Sequence, residues 1–80
     1  MRRLTYREIA ADIAERIAAG EYPERSQLPS YPQLGELYGV SYWTIWRAIR
    51  VLRDELRMVY GEPGRGTYVA PRRYWANPDL

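Results

Sequence analysis

Ile45, Ala48, Ile49, Leu52 and Leu56 recur at intervals of three and four residues, so at 100° per residue they share one side of a helix. Trp43, Arg47 and Arg50 fall on the opposite side, with Trp46 and Arg53 on its flank. Earlier in the chain, Tyr6, Ile9, Ala10, Ile13 and Ile17 repeat the same spacing. Thr5 and Glu8 stand three apart ahead of that run, as a capping box requires, and Gly20 follows it. A first helix is therefore predicted at 5–19. Residues 20–29 form a loop punctuated by Pro23 and Pro29, in which Ser26 to Leu28 can lend a short strand. Ser30 caps a second helix that carries Pro32 in its first turn. Leu34, Leu37 and Tyr38 give this helix a short apolar stripe, and Gly39 ends it. Val40 points inward and Ser41 caps the third helix, predicted over 42–55 with an end near 55–57.

Met58-Val59-Tyr60 and Thr67-Tyr68-Val69 are rich in strand formers. Between them lies Gly61-Glu62-Pro63-Gly64-Arg65-Gly66, dense in turn signals, so residues 58–69 are read as a hairpin with a long tip. After Val69 periodicity is lost and two prolines intervene. Residues 70–80 are expected to be a flexible tail or linker stub, leaving 1–69 as the folded domain. The predicted class is mainly α with a small β-hairpin: three helices plus a wing. Two helices joined by a short Gly-containing turn make a helix-turn-helix, although an ordinary helical hairpin has the same spacing.

Composition removes several functions. An 80-residue chain makes one small domain with a modest core. It has no cysteine and no histidine, so thiolate metal sites, disulfides and the commonest general base are missing. The glycine-rich stretch links strands and opens no helix, which is the wrong context for a nucleotide loop. Asp12 with Glu15, and Asp54 with Glu55, read as solvated helix faces. Neither an enzyme nor a cofactor is expected. No apolar run reaches membrane-spanning length, and the start Met1-Arg2-Arg3 leads into a polar helix, which points to a cytoplasmic protein.

The net charge is only +2, but residues 1–40 hold five Arg and six acids while 41–80 hold seven Arg and four acids. All twelve basic residues are arginine, whose fork suits phosphates and base edges; a GC-rich genome gives the same bias. Arginine and exposed tryptophan opposite the core side of 42–53 suit a helix that enters DNA. Arg65 between two glycines can reach a minor groove, or can be a solvated turn residue.

In this order the motifs resemble the DNA-binding domain of the GntR family of bacterial regulators, a winged helix-turn-helix. The resemblance covers roughly 6–69. It is carried by Ile9-Ala10 with Ala14 and Ile17, Gly20-Glu21-Tyr22-Pro23, Leu28-Pro29-Ser30, Leu34, Tyr38-Gly39-Val40-Ser41, Thr44-Ile45, Ala48-Ile49, Leu52 and Pro63-Gly64-Arg65-Gly66-Thr67-Tyr68-Val69. It implies a sequence-specific transcriptional regulator, more often a repressor, whose third helix enters the major groove. Ser41, Tyr42, Trp43, Thr44, Trp46 and Arg47 would then supply base contacts. Ser30, Tyr31 and Arg50 would grip phosphates, with Arg65 and Gly66 at the wing.

Three departures stand out. Family members often carry arginine where this chain has Pro32, Tyr42 and Trp46. Readout through the Tyr42 hydroxyl and through tryptophan on thymine methyls is then expected in place of arginine on guanine. Leu56-Arg57-Met58-Val59 stands where the family usually has Gly-Leu-Ile, so the third helix is expected to end differently, with one extra residue. The family's effector domain has no counterpart here, and these residues suggest no small-molecule effector site. The expected partner is double-stranded DNA, with a homodimer on an inverted-repeat operator as one arrangement. Three tryptophans and eight tyrosines exceed what so small a core can hold. A protein-interaction or dimerisation module using the Tyr/Trp face is therefore the competing expectation.

Overall fold

In the computed structural model, which describes residues 3–77, three helices are followed by a two-stranded antiparallel hairpin. Helix α1 spans Tyr6–Ala18, and its capping box forms as the sequence predicts. Thr5 Oγ1 accepts from the Glu8 amide at 3.1 Å, and Glu8 Oε1 accepts from the Thr5 amide at 2.9 Å. Helix α2, Tyr31–Tyr38, is capped the same way by Ser30 and Gln33. Gly39 closes it in the left-handed conformation at φ 66°, where a side chain would be strained. Helix α3 covers Tyr42–Arg50, with Ser41 accepting from the Thr44 amide.

The core forms where these helices cross. Ile9, Ile13, Leu34, Ile45, Ile49, Leu52, Met58 and Val69 are fully buried within it. No buried side-chain polar atom lacks a hydrogen bond among the described residues. A polar cluster ties α1 to α2 beside the core. Tyr38 donates to Asp12 Oδ2 at 2.6 Å, and Arg16 Nε donates to the same oxygen at 2.9 Å. These hydrogen bonds, Tyr38's first, hold the Asp12 carboxyl below its ordinary value. Burial, helped by the same bond, pushes the Tyr38 phenol up. Leu37 departs from expectation: it is 59% exposed. An eight-residue helix has too few turns to bury a second leucine beside Leu34.

The expected irregular end of the third helix is a π turn. Val51–Glu55 continue α3 with the wider hydrogen-bond register, and the Leu56 amide donates to Val51 O, five residues back, at 3.0 Å. The Met58 amide then donates to Leu52 O at 2.9 Å, across Arg57 at φ 56°. Arg57 thus occupies the left-handed position that glycine normally fills at a helix end. Holding a side chain there costs about 1 kcal/mol. Arg57→Gly is expected to stabilise the domain by about 0.5–1 kcal/mol, the added freedom of the unfolded chain offsetting part of the relief. The melting temperature should rise by roughly 2–8 °C in thermal unfolding followed by circular dichroism. An unchanged or lower value would show that the Arg57 side chain stabilises the fold elsewhere.

The hairpin pairs β1, Val59–Glu62, with β2, Gly66–Val69, in the register Val59 to Val69 and Glu62 to Gly66. Tyr60 and Tyr68 stack across it at 5.7 Å. The short strand expected over Ser26 to Leu28 is reduced to one isolated bridge at Gln27 against the outer edge of β2. Gln27 bridges Tyr68, the Leu28 amide donates to Thr67 O, and the Val69 amide donates to Ser26 O.

The expectation of a flexible segment from residue 70 is not met over 70–77. Trp75 is 5% exposed, and its indole N–H donates to Ala70 O at 2.9 Å. The Ala70 amide donates to Met58 O and the Ala76 amide to Leu56 O, while Arg72 lies over the Trp75 ring at 4.4 Å. A single large aromatic group supplies enough apolar area to hold an aperiodic stretch on the core. Pro71 is itself buried and leads into a short 3-10 turn, Arg72–Tyr74. The remainder of the expected tail, 78–80, lies outside the described residues.

Candidate nucleic-acid interface

The side of α3 turned away from the core carries an ordered column of flat groups. The Trp43 and Trp46 rings are parallel with centroids 4.8 Å apart, and the Arg50 guanidinium lies 4.9 Å above the Trp46 ring. Positions 43, 46 and 50 are stacked by the three- and four-residue helical spacing. Trp43 is 61% exposed at the open end of this column, and Tyr42 beside it is 57% exposed. Trp46 is half-buried. The tryptophans therefore stand free of the interior, as the sequence pattern requires for a contact surface.

The arginines of this helix are less free than the sequence suggests. Arg47 leans back over the Tyr6 ring of α1 at 4.1 Å. Arg50 reaches Asp54 at 3.5 Å, and Arg53 reaches the same carboxylate at 3.0 Å. Arg53's hydrogen bond holds the Asp54 carboxyl below its ordinary value, and the Asp54 bond in turn raises Arg53. These pairs are exposed and contribute little, so exchanging Asp54 for phosphate is a small step.

Beside the column sit the N-termini of two helices. Tyr31, the first residue of α2, meets Tyr42, the first residue of α3, at 5.5 Å with the rings tilted by 51°. The two tyrosines cover the junction between the starts of α2 and α3. Ser30 spends its hydroxyl on the Gln33 amide, and Ser41 spends its own on the amide and hydroxyl of Thr44. Ser30 and Ser41 therefore cap helices here, and the oxygens of Ser30, Ser41 and Thr44 keep acceptor capacity toward solvent.

The wing completes the surface. Arg65 is 75% exposed by side chain, with Glu62 a distant 3.9 Å away. Its backbone is anchored: Gln27 Nε2 donates to Arg65 O at 2.7 Å. Gly66, at φ 133°, permits that contact, since a Cβ there would lie 2.5 Å from Gln27 Nε2. Gly66 is thus a positional requirement of the clasp. Between wing and helix runs a cleft of about 540 Å³, bordered by Tyr31, Arg53 and residues 61–67.

Two residues that bear on this surface escaped the candidate set. Arg53 borders the cleft, and its spacing from Trp46 and Arg50 places it on the same stripe, so the helical period could have found it. Gln27 could not have been found, because its role depends on a contact with residue 65 across the fold. Among the described residues no group of three or more His, Cys, Asp or Glu could hold a metal ion. Nor is any helix among them long and apolar enough to cross a membrane.

Comparison with known proteins agrees with this geometry. Residues 5–69 match the model for bacterial regulatory proteins of the gntR family. The chain is 37% identical over 67 residues to the HTH-type transcriptional regulator YieP of Escherichia coli (strain K12), covering 84% of this chain and 29% of YieP. It is 38% identical over 68 residues to the mannosyl-D-glycerate transport/metabolism system repressor MngR of the same organism, covering 85% of this chain and 28% of MngR. Among solved structures, the DNA-binding domain of AraR in complex with operator ORR3 superposes with a TM-score of 0.76 at 31% identity, covering 81% of this chain and 77% of that one. The chain spans less than a third of the curated relatives named here. It belongs to the GntR family of bacterial transcriptional regulators, and residues 5–69 are that family's winged helix-turn-helix domain.

Proposed function

We propose that this domain binds double-stranded DNA sequence-specifically, with α3 entering the major groove N-terminus first and the hairpin tip directed at the adjacent minor groove. The observation that carries this reading is the exposed Trp43–Trp46–Arg50 column, set between the N-terminus of α2 and the Arg65 tip. Tyr42, Trp43 and Trp46 contact base edges and thymine methyls, Arg47 joins them by leaving Tyr6, and Ser41 and Thr44 contribute hydroxyl oxygens. Ser30, Tyr31, Arg50 and Arg53 hold phosphates and set the register without reading sequence. A role in repression is supported by the resemblance to MngR, and the compartment that holds bacterial DNA is the cytoplasm.

Selection of bound fragments from random DNA tests the reading directly. A recovered motif, single or as an inverted repeat occupied by two copies, supports it, and failure to enrich any sequence removes it. Within that reading, Arg65→Ala should weaken operator binding by about 1–2 kcal/mol, the scale of one charged contact. Titration of a labelled duplex measures this, and an unchanged dissociation constant would take the wing out of the interface.

The exposure of Tyr42 and Trp43 also suits a protein interface. Sedimentation over a concentration series separates the two readings. A dimer formed through this face before DNA is added would assign the column to protein contact, and a monomer leaves it for DNA.

A further inference from the structure

Arg25 and Arg57 are the two non-glycine residues with positive φ among those described, at 70° and 56°. Both border one cavity of about 370 Å³ at the base of the hairpin, and Arg53 is the third arginine on its rim. Tyr60 and Tyr74 form walls, and no carboxylate lines it. Among the described residues, the carboxylates nearest in sequence already have partners: Glu24 accepts from the Arg72 amide at 3.0 Å, Glu55 pairs with Arg7 at 3.2 Å, and Asp54, outside the cavity lining, pairs with Arg53 on the rim and with Arg50. Neither the Arg25 nor the Arg57 side chain makes an ion pair or hydrogen bond within the described chain.

Backbone strain that persists at two positions and points both side chains at one cavity calls for a reason. Glycine or asparagine would satisfy either turn at lower cost. Three like charges around one hollow repel one another unless an anion sits between them. Guanidinium forks bind phosphate bidentately, and tyrosine walls add hydroxyl donors and a flat apolar surface. The volume is in the range of small-ligand sites. We propose that the Arg25–Arg53–Arg57 cavity is a phosphate-binding site. It lies at the Val59–Val69 end of the hairpin, away from the Arg65 tip, and only Arg53 borders both this cavity and the wing cleft. The phosphate belongs either to a free phosphorylated compound or to the duplex backbone beyond the wing.

The test is a titration of the isotopically labelled 80-residue chain with inorganic phosphate, chloride being withdrawn to hold ionic strength constant. Arginine Nε–Hε resonances report each side chain. Saturable shifts are expected at Arg25, Arg53 and Arg57 with a midpoint of about 1–10 mM. Arg25→Gly and Arg57→Gly should each weaken that midpoint about tenfold without lowering the melting temperature, since each also relieves strain. Arg53→Gln, which leaves the strained turns alone, should weaken it too. Shifts that rise linearly, or equally at the remaining arginines, would overturn the site. So would a midpoint that all three variants leave unchanged. Adding a duplex to the phosphate-saturated protein identifies the source. Displacement of phosphate from Arg25 and Arg57 assigns the site to backbone phosphate, and retention assigns it to a free compound. This readout does not depend on α3 recognising any sequence, so its failure leaves the DNA reading untouched.

Discussion

Raising salt from about 50 to 200 mM is expected to weaken operator binding by this domain roughly fortyfold. Each phosphate neutralised by a basic group releases condensed counterions, and log K falls by about 0.9 per contact per decade of salt. The surface offers three cationic contacts of this kind, Arg50 and Arg53 on the helix flank and Arg65 on the wing, while Ser30 and Tyr31 at the start of α2 add neutral hydrogen bonds that release no counterion. At three contacts a fourfold change in salt corresponds to roughly a fortyfold loss. Two features of the structure work within that slope. Arg50 and Arg53 share Asp54, so salt also loosens the internal pairs they must leave, which flattens the response slightly. Arg65, 75% exposed and 3.9 Å from Glu62, surrenders almost nothing on binding and should carry its full share. Fluorescence anisotropy of a labelled duplex across the salt series measures the slope. Affinity indifferent to salt would exclude a phosphate-gripping mechanism and leave the aromatic column for another partner.

The difference between what the sequence disclosed and what it withheld follows from the range of the interactions. Caps and helical periods are local: Thr5 with Glu8, Ser30 three residues ahead of Gln33, and Ser41 ahead of Thr44 are each decided within one turn. Those signals place all three helices to within a residue or two. The hairpin was equally legible, because its turn residues and strand formers are adjacent in the chain. The π turn was half legible. Leu56-Arg57 in place of an early glycine signals an extra residue, but only the amide of Leu56 bonding Val51 shows how it is absorbed.

Long-range contacts gave no such warning. Nothing near Trp75 announces that its ring is buried and its N–H bonded to Ala70, because the core it joins is assembled from residues distant in the chain. Arg47 read as a free cation from its place on the outer face, yet Tyr6 of another helix holds it at 4.1 Å. A helical wheel shows direction and not neighbours. The wing tip is the clearest instance: Gly66 looked like one turn glycine among several, and its necessity comes from a glutamine that reaches across the strand edge. The helical period therefore located the exposed face of α3, while the partners that tether its arginines lay beyond its reach.

Trp43→Ala is expected to cost about 1–3 kcal/mol in binding to the selected operator, between roughly fivefold and 150-fold, while leaving the fold intact. The asymmetry comes from where the ring sits. In the free domain Trp43 is 61% exposed and stacks on Trp46, so its removal should change stability by about 0.5 kcal/mol at most. On entering a groove the same ring can bury up to roughly 200 Å², pre-oriented by its parallel stack on Trp46 and therefore at little entropic cost. A residue that stabilises the complex and not the domain is what distinguishes a contact surface from a core element. The salt series supplies the control. Trp43 touches bases and no phosphate in this arrangement, so the variant should lose affinity equally at every salt concentration and keep the parent slope. Arg50→Ala should instead lower the slope by about one while weakening binding to all sequences alike. Trp43→Phe, which keeps a flat apolar ring, should recover part of the loss. Equal affinity of Trp43→Ala and the parent protein for the operator would place the exposed end of the column outside the groove. Base readout would then fall to Tyr42 and Trp46.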